Sequence, residues 1–235
     1  MRKFLPIAFI LCPLLLASCD DRPSENRASS FAERDKRESK GAFSESRQIQ
    51  LTNQTALRLD VEYNGGHLTI ERDEAGLLAD IKLEFDREEN RPDIDFDSSS
   101  SSPTLRIRSP RQHEHSVSFD QLRDNGWRIK LSPKIPIDFH INGGVGASKL
   151  SFDGEWKNDA RVDMNLGVGK NTILLARHIG AKVQPAGSFL SPIRLRGFDK
   201  RGSVRYSENY DQAAGHLDFD IKMGVGHTEI DWLDK

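Results

Sequence analysis

The sequence predicts an all-β fold: a β-solenoid-like stack of strand–glycine turn–strand repeats with an antiparallel N-terminal half. The first observation is an internal repeat. Four segments align on a glycine turn: LRLDVEYNGGHLTI (57–70), IDFHINGGVGASKL (137–150), ARVDMNLGVGKNTI (160–173) and LDFDIKMGVGHTEI (217–230). The second is alternation of period two before each turn, as in Leu57, Leu59, Val61 and Tyr63, or Leu217, Phe219, Ile221 and Met223. Such alternation gives a strand one apolar face. The third is spacing. Gly146 and Gly169 are 23 residues apart, and an aliphatic (Ile70, Leu150, Ile173, Ile230) follows each last glycine by four residues. Rungs of this length stack so that each buries its apolar face on its neighbours. A meandering β-sandwich is the alternative, because glycine turns also close hairpins.

The chain has 235 residues and a formal net charge of −2, which offers no basic field for nucleic acid. Met1-Arg2-Lys3 precedes the apolar run FLPIAFILCPLLL. That pairing of charge and short apolar stretch predicts a signal peptide over 1–18. The run ends in Leu16-Ala17-Ser18-Cys19, which resembles the bacterial lipobox and makes Cys19 the expected lipid attachment site. Several acyl chains on one residue anchor stably. The resemblance implies a membrane-anchored, extracytoplasmic protein on the periplasmic side, and Asp20 and Asp21 point to the inner membrane. Cys12 leaves with the signal and Cys19 is acylated, so no thiol remains for a disulfide, a metal or catalysis.

Residues 19–47 are polar, mixed in charge and almost free of aliphatics. They form the expected disordered tether, leaving 48–235 as the folded domain. Within it, FDREENRPDIDFDSSSSSPTLRIRSP reads as antiparallel strands joined by a serine-rich tip. KVQPAGSFLSPIRL, with Gly187, reads as a degenerate fifth unit in the gap between Gly169 and Gly226.

The turn glycines are Gly65, Gly66, Gly144, Gly146, Gly167, Gly169, Gly224 and Gly226, at positions that ask for backbone conformations other residues tolerate poorly. LGVGKNT (166–172) superficially ends like a phosphate loop. That motif needs G-x-x-x-x-G-K-[ST] followed by a helix. Here Met164 stands where the first glycine belongs, Asn171 stands where the hydroxyl belongs, and no amphipathic helix follows. Aligned units carry His67, Ala147 and His227 in place of Lys170, so neither nucleotide nor any other cofactor is expected.

The polar faces of the repeats have their own order. One position reads Arg58, Asp138, Arg161, Asp218 and the next reads Asp60, His140, Asp163, Asp220. Stacking sets equal positions about 5 Å apart, so opposite charges become neighbours. The same aspartates (Asp138, Asp163, Asp218, Asp220) could form paired carboxylates for glycoside cleavage or a calcium site. The interleaved Arg58, Arg161 and Lys222 argue for a self-neutralised surface instead. His113-Glu114-His115 offers too few ligands for zinc, and His67 and His227 read as exposed turn residues. No G-x-S-x-G, H-E-x-x-H or paired C-x-x-C is present, so no catalytic residue is assigned. Trp127 and Trp232 fit strand ends, whereas Trp156 in DGEWKND sits in a polar loop and is the candidate partner contact.

LRLDVEYNGGHLTIE, LLADIKLEFDREENRPDIDFD, WRIKLSPKIPIDFHINGGVGASKLSFDG and IKMGVGHTEIDW, in this order, resemble the toast-rack family of bacterial envelope proteins. That family includes the extracytoplasmic domain of LiaF-like cell-wall-antibiotic-response proteins. The resemblance covers 51–232. It implies an all-β, non-enzymatic module for scaffolding, binding or sensing at the envelope, with another envelope protein or a cell-wall component as partner. Many such proteins carry transmembrane helices before the domain, where this chain has the lipobox-like pattern. The runner-up function is a polysaccharide-active enzyme or adhesin on the same scaffold.

Overall fold

The computed structural model describes residues 43–73, 75–110, 125–152, 158–186 and 191–233. Thirteen strands lie in one hydrogen-bonded sheet among these residues. They are β1 (Phe43–Gln50), β2 (Leu57–Arg72), β3 (Leu77–Phe85), β4 (Asp93–Asp97), β5 (Thr104–Arg108), β6 (Gly126–Leu131) and β7 (Ile137–Phe152). There follow β8 (Ala160–Leu175), β9 (Gly180–Ala186), β10 (Ile193–Leu195), β11 (Phe198–Arg201), β12 (Val204–Ser207) and β13 (His216–Trp232).

The four aligned segments are β2, β7, β8 and β13. They lie side by side in that order, parallel and in register, with Gly66, Gly146, Gly169 and Gly226 adjacent. Parallel neighbours exclude the meandering sandwich, whose consecutive strands would run antiparallel. One detail of the repeat is corrected. The sequence reads the glycines as turns between two strands, but each segment is a single strand of 16 or 17 residues that passes through them.

What changes at the glycines is the face that points inward. In β2 the buried set runs Leu57, Leu59, Val61, Tyr63 and then Leu68, Ile70, switching from odd to even numbers. The switch lets both halves of a strand line one core. Phe139, in the first half of β7, meets Phe152 of its second half edge-on at 5.5 Å, and Phe152 meets Phe219 of β13 at 5.8 Å. Each long strand thus bends back on itself and contributes to both walls of the core.

Two further rungs complete the stack. β5 runs parallel to the first half of β2 and β6 runs parallel to its second half. On the far side, β9 and β10 pair in the same way with the two halves of β13. The degenerate unit expected over KVQPAGSFLSPIRL is this last rung, although Gly187 lies outside the described residues. The expected antiparallel strands are also present. β4 and β5 form the hairpin around the serine-rich tip, β3 adds antiparallel to β6, and β1 adds antiparallel to β3.

Both ends of the stack are covered, as a solenoid requires. At one end Arg47 donates to the Ile94 carbonyl at 2.6 Å and Arg91 pairs with Glu45 at 2.9 Å, tying β1 to the β4 side. At the other, β12 and β11 follow β9, and Phe198 stacks on Trp232 at 5.8 Å. Trp127 and Trp232 sit at strand ends, as the sequence indicates. Chain order and spatial order part company in this half: β13 lies between β8 and β9, and β12 lies between β9 and β11.

Candidate functional site

Three surfaces of the stack carry its chemistry: the glycine spine, the buried row behind it and the charged wall in front. The spine exists because the rungs approach most closely where the strands bend. A Cβ on Gly144, Gly146, Gly167, Gly169 or Gly226 would run into a carbonyl oxygen of the preceding rung, and one on Gly224 would lie 2.8 Å from that of Gly167. Gly66 (φ 103°), Gly146 (152°), Gly169 (157°) and Gly226 (128°) also have positive φ. The G-V-G valines between the glycines form an outward ridge, in which Val168 and Val225 are exposed.

Directly behind the spine, inward positions that elsewhere hold aliphatics hold Ser148, Asn171 and Thr228, all buried and in register. Ser148 donates to Asn171 Oδ1 at 2.6 Å, and Asn171 Nδ2 and Thr228 both point to Met223 Sδ, at 3.5 and 3.8 Å. Tyr63 lies over Gly143, where a Cβ would meet its ring at 2.7 Å. Burial pushes its hydroxyl up to about 12, against a weaker opposing hydrogen bond with Ser148. Sequence reasoning missed this row. The available signal was parity, since Ser148 and Asn171 fall two residues before the core positions Leu150 and Ile173.

The outer wall of the first half-strands is a charge ladder. Its first row runs Arg58, Asp138, Arg161, Asp218, Lys182 across neighbouring strands, alternating in sign. Lys182 holds Asp218 at 2.8 Å, and that hydrogen bond raises the lysine pKa. The second row runs Arg106, Asp60, His140, Asp163, Asp220. Asp163 and Asp220 are like charges side by side. Arg161, 2.8 Å from Asp163, and Lys222, 3.8 Å from Asp220, compensate them. Asp60 is shared by Arg58 at 2.8 Å and Arg106 at 3.8 Å. The structure therefore brings the predicted aspartates onto one face, with a cation within 4.0 Å of Asp163, Asp218 and Asp220 and with Asp138 in the row between Arg58 and Arg161.

At the β9 edge of the wall, His216 is held from both ring nitrogens, by Asp159 at 2.9 Å and the Tyr210 carbonyl at 3.0 Å. Burial pulls its pKa down, but the hydrogen bonds and the charges of Asp159 and Asp218 outweigh it and the net shift is upward. This cluster carries no motif that a sequence would reveal.

The remaining sequence candidates divide by position. Lys170 lies within the strand β8, in one row with His67, Ala147 and His227, and not at the helix N-terminus that a phosphate loop requires. Cys19, Asp20, Asp21, His113, Glu114, His115 and Trp156 lie outside the described residues. Among the described residues, no three His, Cys, Asp or Glu side chains are grouped to hold a metal ion.

A six-rung parallel stack with bent strands, a glycine spine and antiparallel caps defines a β-solenoid-like protein with an open, self-neutralised wall. The family described as the N-terminal domain of toast_rack, DUF2154, matches residues 37–179, and the chain belongs to that toast-rack family. A solved structure of a candidate cell adhesion protein from Clostridium sporogenes is similar at TM-score 0.67 and 23% identity. The similarity covers 81% of this chain and 99% of that one, and it bears on the fold alone. A candidate adhesin from Parabacteroides distasonis aligns over 83% of this chain and 70% of its own, at 10% identity and TM-score 0.27. Among curated proteins none matches the chain.

Proposed function

We propose that this protein is a lipid-anchored bacterial envelope protein whose coil stack is a non-enzymatic binding and scaffolding module in the envelope stress response. Its partner is another envelope protein or a cell-wall component, met on the periplasmic side of the membrane. The observation that carries the reading is the outer wall. Hydrolysis of a glycoside needs two carboxylates with different protonation, free to act on opposite sides of a bond. Asp60, Asp163, Asp218 and Asp220 each lie beside a cation instead, which suits a solvated recognition surface. The lipobox-like Leu16–Cys19 supports the anchor, and the adhesion named for the Clostridium sporogenes protein is consistent with a binding role.

The test has two arms. Cys19→Ala should abolish acylation and release the protein from membranes on fractionation; a variant that stays membrane-bound and correctly processed overturns the anchor. A photo-crosslinking residue at Asn165, exposed on the wall, should capture a discrete envelope component in cells. Hydrolysis of cell-wall polysaccharide by the purified protein, lost on Asp163→Asn, would instead establish the enzyme.

A further inference from the structure

The outermost strands of a sheet carry backbone groups with no mate. Among the described residues the sheet runs from β1 at one end to β11 at the other, and β4 and β10 each pair along one edge only. These edges differ in what they offer a neighbour. β10 and β11, with three and four residues, are short templates. β4 carries Asp93, Asp95 and Asp97, a row of one sign that repels its like. β1 has eight residues, FSESRQIQ, with neither proline nor lysine to blunt it. Glu45 and Arg47 tie β1 to the β4 side, but among the described residues β3 is the only strand that pairs with it.

The residues of β1 select its partner. In an antiparallel pair, opposed residues either both direct their N–H and C=O across the gap or both direct them away. Two copies of one strand therefore pair only when the two-fold axis passes through a residue. Centring on Glu45 or on Arg47 would set like charges directly opposite, which is destabilising. Centring on Ser44 or Gln48 would leave more of the strand unpaired. Centring on Ser46 pairs the strand from Phe43 to Ile49 and sets Glu45 opposite Arg47 on both sides of the axis. Opposite charges two residues apart are the spacing that a two-fold converts into two favourable cross-strand pairs. The same register sets Phe43 opposite Ile49. Phe43 shares the face of buried Ile49 and stacks on Phe85 at 5.8 Å, yet it is 42% exposed. A second β1 would give it an apolar neighbour on its open side. We propose that β1 is a self-association edge, to which a second copy of this chain adds its own β1 antiparallel, centred on Ser46, so that two stacks share one continuous sheet. This contact stands independently of the function proposed above.

The experiment combines sedimentation with disulfide trapping of the full-length protein. In detergent the purified wild type should shift from monomer to dimer across a concentration series. Ser44, Ser46 and Gln48 are exposed, so cysteine at each is tolerated by the fold. The wild type, with Cys12 and Cys19 alone, is the background for oxidation in membranes. Ser46→Cys should form a disulfide-linked dimer at least about tenfold faster than Ser44→Cys or Gln48→Cys alone, because a disulfide spans Cα atoms about 4.4–6.8 Å apart. Ser44→Cys mixed with Gln48→Cys should trap a heterodimer as readily as Ser46→Cys traps itself. A protein that stays monomeric at every concentration overturns the proposal. So does trapping of Ser44→Cys alone at the rate of Ser46→Cys, or linkage of Ser46→Cys to a different protein.

Discussion

Ser148 donates a 2.6 Å hydrogen bond to Asn171 across two adjacent rungs, inside the core. The amide that disqualifies LGVGKNT as a phosphate loop thus has a structural duty. Removing one partner of a buried polar pair costs about 1–3 kcal/mol. We predict a loss in that range for Asn171→Leu. The double variant Ser148→Ala/Asn171→Leu should lose less than the sum of the single changes, because neither partner is then left alone. Denaturant melts of the three variants check this.

Gly169 and Gly202 separate two reasons for glycine. Gly202 has φ 67° with open space where a Cβ would stand, whereas Gly169 faces the Gly146 carbonyl. Gly202→Ala should therefore cost only the left-handed backbone penalty, about 1–2 kcal/mol. Gly169→Ala should cost more, because strained backbone of about 1–3 kcal/mol adds to the collision. Gly180 is no neutral control, since a Cβ there would lie 2.6 Å from His216 Cδ2. Equal losses at 169 and 202, measured by chemical denaturation, would remove the close-approach argument.

Lys170 is half-buried within the strand β8. Lys170→Ala should change stability by no more than about 0.5 kcal/mol, and Mg-ATP should leave the melting temperature of both proteins unchanged. A shift in the wild type that the variant loses would reinstate a nucleotide site.

His216 gives the fold a pH dependence of known sign. Its folded pKa is raised, through Asp159 and the Tyr210 carbonyl acting against burial. A raised pKa stabilises the fold fully below the unfolded value, about 6.5, and that contribution is lost as pH rises through the folded value. Wild type minus His216→Gln should therefore show an excess stability near pH 6 that declines toward pH 8.5. Denaturation midpoints of both proteins across that window measure it, and a difference that is flat or rises with pH contradicts the assignment.

Much of this architecture is legible in the residues. The aligned glycines, the alternation of Leu217, Phe219 and Ile221, and the opposed Arg161 and Asp218 lead to parallel rungs and a neutralised wall. Other features are not, each for a physical reason. β5 and β6 both pair with β2, setting Thr104 beside Arg58 and Gly126 beside His67, and local pattern holds no trace of contacts so distant in sequence. The bend through the glycines looks like a turn in sequence because glycine serves both purposes. Arg72 resembles any strand-end arginine until the fold closes around its Nε.

The position of β13 has a temporal consequence. A polypeptide emerges N-terminus first, yet β8 and β9 are separated in space by a strand that is made after both. Until residues 216–232 arrive, the facing edges of β8 and β9 have no mate, and the Phe139–Phe152 pair lacks Phe219. Long-range pairing of this kind is slow and leaves sticky edges in the meantime. β13 acts as a keystone: without residues 216–232 the stack would keep two open flanks, the unpaired strand edges that invite pairing with other chains.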